Sequence, residues 1–232
     1  MRPDELPAIR ELPLFADLAE EHFAPLMQAA YLQTFPPQVQ LITEGDPADF
    51  LHVVVEGCVE LFAGIDGRET SLRLIHPYGS FILAAVLMDA VYLMSGRTME
   101  RSRVLMIPTE NIRAAFQRDA GFARALVLDL AVDFRKAVKD LKNQKLRTGV
   151  ERLANILLRF DAEQGRTGTV TLPCDKRTLA ALLGMTPENL SRAFGTLKPY
   201  GVTVEGAEIR LAKLDDLMTL AKPTPLIDDR AS

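Results

Sequence analysis

Three side chains that can hydrogen bond to base edges lie within one helical turn of each other. Glu188, Ser191 and Arg192 have the i, i+3 and i, i+4 spacing that places side chains on one face of a helix. The fork of an arginine can meet the two acceptors that guanine offers in the major groove, and a carboxylate can accept from the amino group of cytosine. A serine hydroxyl can reach a base or a phosphate. The spacing therefore indicates a helix face suited to a nucleic-acid duplex.

The elements that must position these side chains are two short helices around a tight turn, within residues 175–200. Gly184 can adopt the left-handed conformation in which a helix commonly ends. Thr186 can cap the next helix, and Pro187 suits its first position because proline has no amide hydrogen to lose. The side chains predicted to face inward are Leu179, Ala180, Leu182 and Leu183 in the first helix, and Leu190, Phe194 and Leu197 in the second.

The remaining polar side chains of the second helix are better placed to hold the phosphate backbone than to specify sequence. These predicted backbone contacts are Thr186, Asn189, Thr196 and Lys198. The alternative is an ordinary solvated pair of helices, because Glu, Ser and Arg are common on any protein surface. A strand pair favours the first interpretation: residues 202–204, a turn at 205–207 and residues 208–211 have the pattern of a hairpin wing. With a short strand at 170–172, the combination predicts a winged helix-turn-helix.

These segments resemble the DNA-binding half of the CRP/FNR family of bacterial transcription regulators. The similarity lies in Leu172-Pro-Cys-Asp-Lys176, in residues 179–184 and in Glu188-Asn-Leu-Ser-Arg192. The last of these resembles the Glu-x-x-Ser-Arg helix of the FNR-like branch, which implies a TTGAT-type half-site with Glu188, Ser191 and Arg192 as base readers. Pro187 stands where the CRP branch has an arginine that touches bases, so a CRP-type half-site is not expected.

The N-terminal portion is similar to the cyclic-nucleotide-binding β-roll of the same family. The segments that carry this resemblance are residues 44–49, 51–57, 66–67 and 78–79. The alternation of Val53, Val55, Val59 and Leu61 independently predicts antiparallel strands. The expected fold class is α+β, with a β-roll sensor domain over 1–118, a long dimerisation helix over 119–147 and a winged helix-turn-helix domain over 148–232.

The charge of the chain is distributed unevenly between its two ends. The net charge is −4, yet residues 1–100 hold 5 Lys or Arg against 15 Asp or Glu, whereas residues 134–152 hold 7 against 2. Phosphate binding needs local positive potential, and an acidic N-terminal half would keep a duplex away from the wrong face. The alternative is that the lysines belong to a solvated helix end. A composition with 48% hydrophobic residues provides for packed cores.

The expected location is the cytoplasm, without a membrane partner. No run of about 18 apolar residues occurs, and the first residues, Met1-Arg-Pro-Asp-Glu5, lack the basic and apolar regions of a signal peptide.

A long helix is predicted from Gly121 to about Arg147, because neither proline nor a further glycine interrupts this stretch. An apolar seam with alternating spacings of four and three consists of Val127, Ala131, Phe134, Val138 and Leu141. This seam either packs on the β-roll of the same chain or pairs with a second copy. A second apolar set is available for the β-roll, namely Phe122, Leu126, Leu130 and Ala137, so dimerisation is favoured. A dimer would require an inverted-repeat DNA site.

The sensor is not expected to bind cyclic AMP. Cyclic AMP binders of the family carry a Gly-Glu pair for the ribose and an Arg-Ser pair for the phosphate. This chain has Leu83-Ala84 and Tyr92-Leu93 at about those positions, so charge-assisted hydrogen bonds would be lost. An iron–sulfur cluster is not expected either, because it needs four thiolates and the chain has only Cys58 and Cys174, interpreted as ordinary buried strand residues.

An apolar effector pocket is predicted from Phe81, Leu83, Val86, Leu87 and Tyr92, with Ile82, Met88 and Met94 beside them. This set resembles the Dnr/NnrR-like branch, which implies a nitric oxide signal through haem. The alternative is that these side chains are simply core. An axial donor would have to be His22, His52 or His76. His52 lies in a predicted strand and His76 precedes Pro77, so a structural or surface role is favoured for each.

The expected function is that of a homodimeric transcription regulator controlled by a signal at the β-roll. Its expected partners are double-stranded DNA, a second copy of the chain and RNA polymerase. The alternative is a ligand-sensing module that controls a protein partner without sequence-specific DNA binding. No enzyme and no metal site are predicted, because no motif combines a nucleophile, a base and an orienting group at a recognisable spacing.

Overall fold

The computed structural model describes residues 2–206 and 208–229, and the chain forms two compact units, Met1–Asp133 and Phe134–Ser232. In the first unit the helices are α1 (Leu6–Arg10), α2 (Glu20–Ala29), α3 (Leu83–Met88), α4 (Thr109–Arg118) and the first part of α5 (Ala120–Leu146). Its strands are β1 (Tyr31–Phe35), β2 (Gln40–Ile42), β3 (Phe50–Glu56), β4 (Val59–Ile65), β5 (Arg68–Ile75), β6 (Ser80–Phe81), β7 (Ser95–Thr98) and β8 (Ser102–Pro108).

The strands of the first unit form two antiparallel sheets, in the orders β1-β8-β3-β6 and β2-β7-β4-β5. Both sheets contribute to one apolar core, in which Val53, Val59 and Leu61 are buried and Val55 is half-buried. The predicted alternation therefore corresponds to a β-roll. Gly57 has a φ of 86°, and a Cβ there would lie 2.7 Å from the Cα of Ser102, so a larger residue at this close approach would displace β8.

A buried carboxylate with three hydrogen-bonding partners lies at the start of helix α5. Asp119 is buried and accepts hydrogen bonds from the amides of Phe122, at 2.8 Å, and Ala19, at 3.0 Å. His22 Nδ1 lies 2.9 Å from the same carboxylate. The Phe122 amide, with the hydrogen bonds from His22 and Ala19, lowers the pKa of Asp119 to about 2. Asp119 therefore ties the first turn of α5 to the segment before α2.

The first part of α5 packs on the β-roll. Phe122 and Leu126 are buried and Leu130 is half-buried against the core. Polar contacts accompany this packing: the Ser80 hydroxyl donates to Asp129, and Arg73 donates to Asp133 at 2.8 Å.

The prediction that Ala137 belongs to this buried set is wrong. Ala137 is exposed, because the part of α5 that packs in the first unit ends at Asp133.

After α5, the described part of the second unit has five helices and a three-stranded sheet. Its elements are α6 (Gly149–Glu163), β9 (Thr169–Thr171), α7 (Lys176–Leu182), α8 (Pro187–Leu197), β10 (Val202–Glu205), β11 (Glu208–Leu211), α9 (Leu214–Ala221) and the short α10 (Pro225–Asp228). The sheet order is β10-β11-β9, antiparallel throughout. Ala207, in the predicted wing turn, lies outside the described residues.

The core of the second unit joins α6, α8 and the sheet. Leu153 and Leu157 of α6 pack with Leu197 of α8 and Ile209 of β11, and all four are buried. Thr148 caps α6 by accepting from the Glu151 amide at 3.3 Å, while the Glu151 carboxylate accepts from the Thr148 amide at 2.8 Å. None of the helices within residues 2–206 and 208–229 combines the length and apolar content that crossing a membrane requires.

Candidate nucleic-acid interface

The helix-turn-helix forms as the sequence predicts. Asp175 caps α7 by accepting from the Thr178 amide at 2.7 Å. Gly184 has a φ of 62°, which is the left-handed conformation expected after α7. The Thr186 hydroxyl then accepts from the Asn189 amide at 3.2 Å, and Pro187 is the first residue of α8. The start and direction of the second helix are therefore fixed by local chemistry.

The inner face of α8 is buried in the core of the second unit. The predicted residues Leu190, Phe194 and Leu197 are buried there, together with Ala193. Because these side chains hold one side of the helix, the opposite side is fixed toward solvent. The predicted inner face is confirmed.

The predicted base readers Glu188, Ser191 and Arg192 are exposed together on that opposite side. Hydrogen bonds from the backbone of Glu188 and from the Thr186 hydroxyl hold the pKa of the Glu188 carboxyl below its usual value, and the Arg192 charge acts in the same direction. The carboxylate is therefore ionised and can accept from a base amino group. Arg192 Nη1 donates to Asn189 Oδ1 at 3.2 Å, which draws the guanidinium along the helix surface.

The four side chains predicted to contact the DNA backbone are exposed, but they differ in the hydrogen bonds that they already form within the protein. Thr186 is engaged as the cap of α8, and Asn189 accepts from Arg192. The Thr196 hydroxyl donates to the Arg192 carbonyl at 3.1 Å, and Lys198 follows the last residue of α8. The bond between Asn189 and Arg192 is a feature that the sequence analysis missed, although the i, i+3 spacing of the two residues was a signal for it.

The wing tip is acidic rather than basic. Glu205 and Glu208 are register partners at the end of the β10–β11 pair, and both are exposed. Carboxylates at this position repel phosphate, so this end of the wing is poorly suited to hold a DNA backbone.

Cations counted in the basic stretch 134–152, Arg147 and Arg152 among them, are committed within the protein. Arg152 donates through Nε to the Leu183 carbonyl at 2.8 Å and through Nη1 to the Arg147 carbonyl at 2.7 Å. Arg147 forms a bidentate salt bridge with Asp228, in which Nη1 lies 2.7 Å from Oδ1 and Nη2 lies 2.6 Å from Oδ2. Neither role was evident from the sequence, because Leu183 lies 31 positions from Arg152 and Asp228 lies 81 positions from Arg147.

The predicted seam of α5 is exposed along its whole length in the single chain. Its members Val127, Ala131, Phe134, Val138 and Leu141 are all exposed, with Phe134 at 71%. Leu128 and Val132 are also exposed and lie beside the seam. The sequence analysis missed this pair, although its i, i+4 spacing was visible.

The predicted effector residues lie in the core of the β-roll. Phe81, Leu83, Val86 and Tyr92 are buried, and Leu87 is half-buried against them. The Tyr92 hydroxyl lies 3.5 Å from the Phe50 carbonyl. Of the neighbouring residues, Ile82 and Met94 are half-buried, whereas Met88 is exposed.

The three histidines have different surroundings. His52 is 2% exposed and stacks on Phe81 with ring centroids 5.0 Å apart. Burial lowers the pKa of His52 to about 4, against a smaller opposing effect of the Phe50 backbone, so the imidazole is neutral near pH 7. Its Nδ1 has no hydrogen-bond partner among the described residues. His22 pairs with Asp119, and His76 is exposed.

The cysteines differ from the prediction that both are buried strand residues. Cys58 is buried just before β4, and Cys174 is half-buried in the segment before α7, so neither lies within a strand. Both fall at turns, where the chain leaves the regular pattern of the sheet. In the part of the chain that the structure describes, no three His, Cys, Asp or Glu side chains come together as metal ligands would.

Comparisons with known proteins agree with this architecture. Residues 32–119 match the family model of the cyclic nucleotide-binding domain, and residues 151–220 match that of the Crp-like helix-turn-helix domain. The CRP-like cAMP-activated global transcriptional regulator of Mycobacterium tuberculosis is 23% identical over 194 residues, which are 81% of this chain and 87% of that relative.

Solved structures have the same fold. A candidate cAMP-binding regulatory protein from Silicibacter pomeroyi DSS-3 is 28% identical with a TM-score of 0.59, over 96% of this chain and 100% of its own. FixK2 from Bradyrhizobium japonicum is 24% identical with a TM-score of 0.71, over 84% and 98%. The predicted α+β fold class is confirmed. With two family models that together match more than half of its length, the chain belongs to the CRP/FNR family of transcription regulators, whose members are not enzymes and carry a DNA-binding helix-turn-helix.

Proposed function

We propose that this regulator is a homodimer that reads an inverted-repeat TTGAT-like site under the control of a signal at the β-roll. The observation that carries the proposal is the outer face of α8, where Glu188, Ser191 and Arg192 are exposed together while the opposite side of the helix is buried. RNA polymerase is the partner through which a regulator bound to such a site would act on transcription.

Base reading follows from the chemistry of this face. Arg192 can donate two hydrogen bonds to guanine, and the ionised Glu188 can accept from cytosine, so the pair distinguishes base pairs in the major groove. Ser191 lies between them and adds a hydroxyl for a base or a phosphate. The acidic wing leaves sequence reading and phosphate contact to α8 and its flanks. These flanks supply Thr186, Asn189, Thr196 and Lys198 as the proposed backbone contacts.

A second copy of the chain is the proposed cover for the exposed apolar side of α5. Val127, Phe134 and Leu141 are large apolar side chains that are all more than half exposed on one helix. Pairing two such helices buries these side chains, and Leu128 and Val132 widen the surface. A twofold axis along this seam would present two copies of α8 to successive major grooves, which is why the proposed site is an inverted repeat.

The dimer can be tested with one substitution on the exposed seam. Phe134→Glu would place two carboxylates against each other in a low-dielectric interface, so we expect the dissociation constant of the dimer to rise about a hundredfold. Sedimentation at micromolar concentration measures this, with Glu208→Gln as a control at an exposed position of the wing. An unchanged mass for Phe134→Glu would remove α5 as the interface.

The proposed signal is not cyclic AMP. Tyr92 stands about where a cyclic-nucleotide binder has its arginine, and it is buried with its hydroxyl near the Phe50 carbonyl. Ala84 stands where the ribose-binding glutamate would be, and an alanine cannot accept a hydrogen bond from a ribose hydroxyl. A phosphate placed here would lack a guanidinium partner, which is a strongly unfavourable environment for an anion.

A nitric oxide signal through haem is the proposed alternative to cyclic AMP. Phe81, Leu83, Val86, Leu87 and Tyr92 supply apolar surroundings, and His52 Nδ1 is a buried nitrogen that lacks a hydrogen-bond partner among the described residues. Bound haem would supply the iron to which nitric oxide binds, and His52 is the residue that would hold it. Absorbance spectra after addition of haem, reduction and exposure to nitric oxide test this. A Soret band that is identical in wild type and His52→Ala would count against a specific site.

Fluorescence anisotropy tests the DNA-binding proposal directly. The wild-type protein is titrated into a labelled inverted TTGAT-type duplex and into a duplex of the same length and composition with the half-sites scrambled, at moderate salt. We expect the specific duplex to bind at least about a thousandfold more tightly. Equal affinity for both duplexes would support a module that acts on a protein partner instead.

A further inference from the structure

The last described segment of the chain, residues 222–229, folds back onto the C-terminal end of α5. This segment lies beyond the residues that match the Crp-like helix-turn-helix domain, which end at 220. Arg147 Nη1 donates to Asp228 Oδ1 at 2.7 Å, and Nη2 donates to Oδ2 at 2.6 Å. The Arg147 side chain is 7% exposed and that of Asp228 is 28% exposed. A parallel pair of charge-assisted hydrogen bonds with this much burial is both strong and directional.

Two lysines of α5 extend the contact. Lys142 Nζ donates to the Leu226 carbonyl at 3.3 Å, and Lys139 Nζ donates to the Asp229 carbonyl. These carbonyls belong to the last turn of α10 and its end, where a helix carries partial negative charge and attracts cations. Arg147 Nη2 also reaches the Lys222 carbonyl at 3.4 Å, so both ends of the segment are held.

The segment is organised internally for this contact. Asp228 Oδ2 accepts from the Thr224 amide at 2.7 Å while the same carboxylate receives Arg147. Burial opposes ionisation of Asp228, but the hydrogen bonds from Arg147 and Thr224 outweigh it and hold the pKa of the carboxyl below its usual value. The Asp228 carboxylate is therefore ionised at neutral pH.

The contact lies at a short junction between two functional parts. Helix α5 ends at Leu146 and α6 begins at Gly149, so only two residues join the long helix to the helix-turn-helix domain. A second set of bonds supports the same junction, because Arg152 donates to the carbonyls of Arg147 and Leu183. Gly184 also packs closely on Gln144, since a Cβ at Gly184 would lie 2.7 Å from Gln144 Oε1.

We propose that residues 222–229 are a clasp that fixes the angle between the end of α5 and the helix-turn-helix domain. Without the clasp, the two-residue junction would be a hinge that the hydrogen bonds of Arg152 and the packing of Gln144 restrain. With the clasp, the residues that follow α9 add a second set of contacts between the helix-turn-helix domain and the end of α5. Resting on the proposed function, the clasp determines which spacing between two half-sites the dimer accepts, and it leaves the contact of each α8 with its own half-site unchanged.

The first experiment tests the clasp in the full-length protein without DNA. Hydrogen exchange of the amides in 222–229 is compared in wild type, Asp228→Asn and Asp228→Glu. We expect about tenfold faster exchange in Asp228→Asn, equivalent to about 1.4 kcal/mol, and near wild-type exchange in Asp228→Glu, which keeps the charge. Asp216→Asn, at an exposed carboxylate in the first turn of α9, is the matched control. Exchange in Asp228→Asn that equals the control would overturn the proposal.

The second experiment measures half-site spacing. Anisotropy titrations use duplexes in which the spacer between two half-sites is lengthened or shortened one base pair at a time, together with a single half-site. For Asp228→Asn we expect the preference for the best spacer to fall about tenfold, while the affinity for the single half-site stays within about twofold of wild type. An unchanged spacer preference would contradict the clasp.

A milder substitution guards against loss of folding. Lys142→Met removes the donor to the Leu226 carbonyl from an α5 side chain of the second unit, and we expect the same change of spacer preference at about a third of the size. If the wild type itself shows no preference for any half-site, the proposed function fails, whereas the exchange experiment still decides whether the clasp exists.

Discussion

The recognition helix and the β-roll place their polar side chains in opposite environments. On α8, Glu188 and Arg192 are exposed, and they form hydrogen bonds with the same helix and its cap. In the β-roll, Glu60 is 1% exposed, accepts from Arg97 Nε at 2.7 Å and receives the Ser71 hydroxyl. The Glu60 carboxylate of the β-roll is therefore used within the fold, whereas the exposed Glu188 and Arg192 of α8 are available to a binding partner.

The two environments have different energetic consequences. Removing one member of a buried pair leaves the other without compensation, which costs stability. Removing an exposed side chain leaves water in its place, so stability hardly changes and only an interaction with a partner can be lost. Substitutions in the two regions should therefore separate into those that change unfolding and those that change DNA binding.

The largest effect is expected for Glu60→Ala. This substitution leaves Arg97 beside a buried gap and removes the acceptor of Ser71, so the free energy of unfolding should fall by about 3 kcal/mol. Urea denaturation at fixed protein concentration measures the loss. Glu69→Ala is the matched control, because Glu69 binds the same Arg97 at 3.1 Å but is half exposed, and its removal should cost less than about 1 kcal/mol. Equal losses would mean that burial does not distinguish the two carboxylates.

The carboxylate at the start of α5 predicts a dependence of stability on pH. Asp119 has a pKa lowered from 3.8 to about 2, so its contribution is complete above pH 3.8 and is lost as the pH falls toward 2. Asp119→Ala should cost about 2 kcal/mol at neutral pH, because the helix loses its cap and His22 loses its partner. The difference between wild type and variant should shrink across that acid range. A difference that stays constant down to pH 2 would contradict the assignment.

Arg192→Ala tests the other side of the contrast. Because Arg192 is exposed, the free energy of unfolding should be unchanged, while binding to the specific duplex weakens by about 1–3 kcal/mol and preference at one base pair relaxes. Anisotropy with single-base variants of the half-site measures both effects. An equal loss on a scrambled duplex would mean that Arg192 contacts only phosphate.

The sequence predicted best those features that depend on neighbouring residues. The turn at Gly184, the cap at Thr186 and the start of α8 at Pro187 follow from local conformational preferences, and each is confirmed. The long helix was predicted to within a residue at each end, because an uninterrupted stretch needs no tertiary information.

The features that sequence analysis missed join residues that are far apart in the chain. Arg147 and Asp228 are separated by 81 positions, and Glu60 and Arg97 by 37. Nothing in the local pattern of either residue distinguishes a paired charge from a solvated one. The error at Ala137 has a related cause: periodicity continues along a helix, whereas the surface against which the helix packs comes to an end.

The smallest effect is expected for Asn189→Ala, and it decides between two roles for this side chain. Asn189 was predicted to hold phosphate, but it accepts from Arg192 Nη1 at 3.2 Å and so can orient the guanidinium. In the orienting role, Asn189→Ala should weaken specific binding by about 0.5 kcal/mol, and it should have no further effect when Arg192 is already alanine. In the phosphate role, the loss should be the same with or without Arg192 and on specific or scrambled DNA. A double-mutant cycle measured by anisotropy distinguishes the two, because only the orienting role couples Asn189 to Arg192.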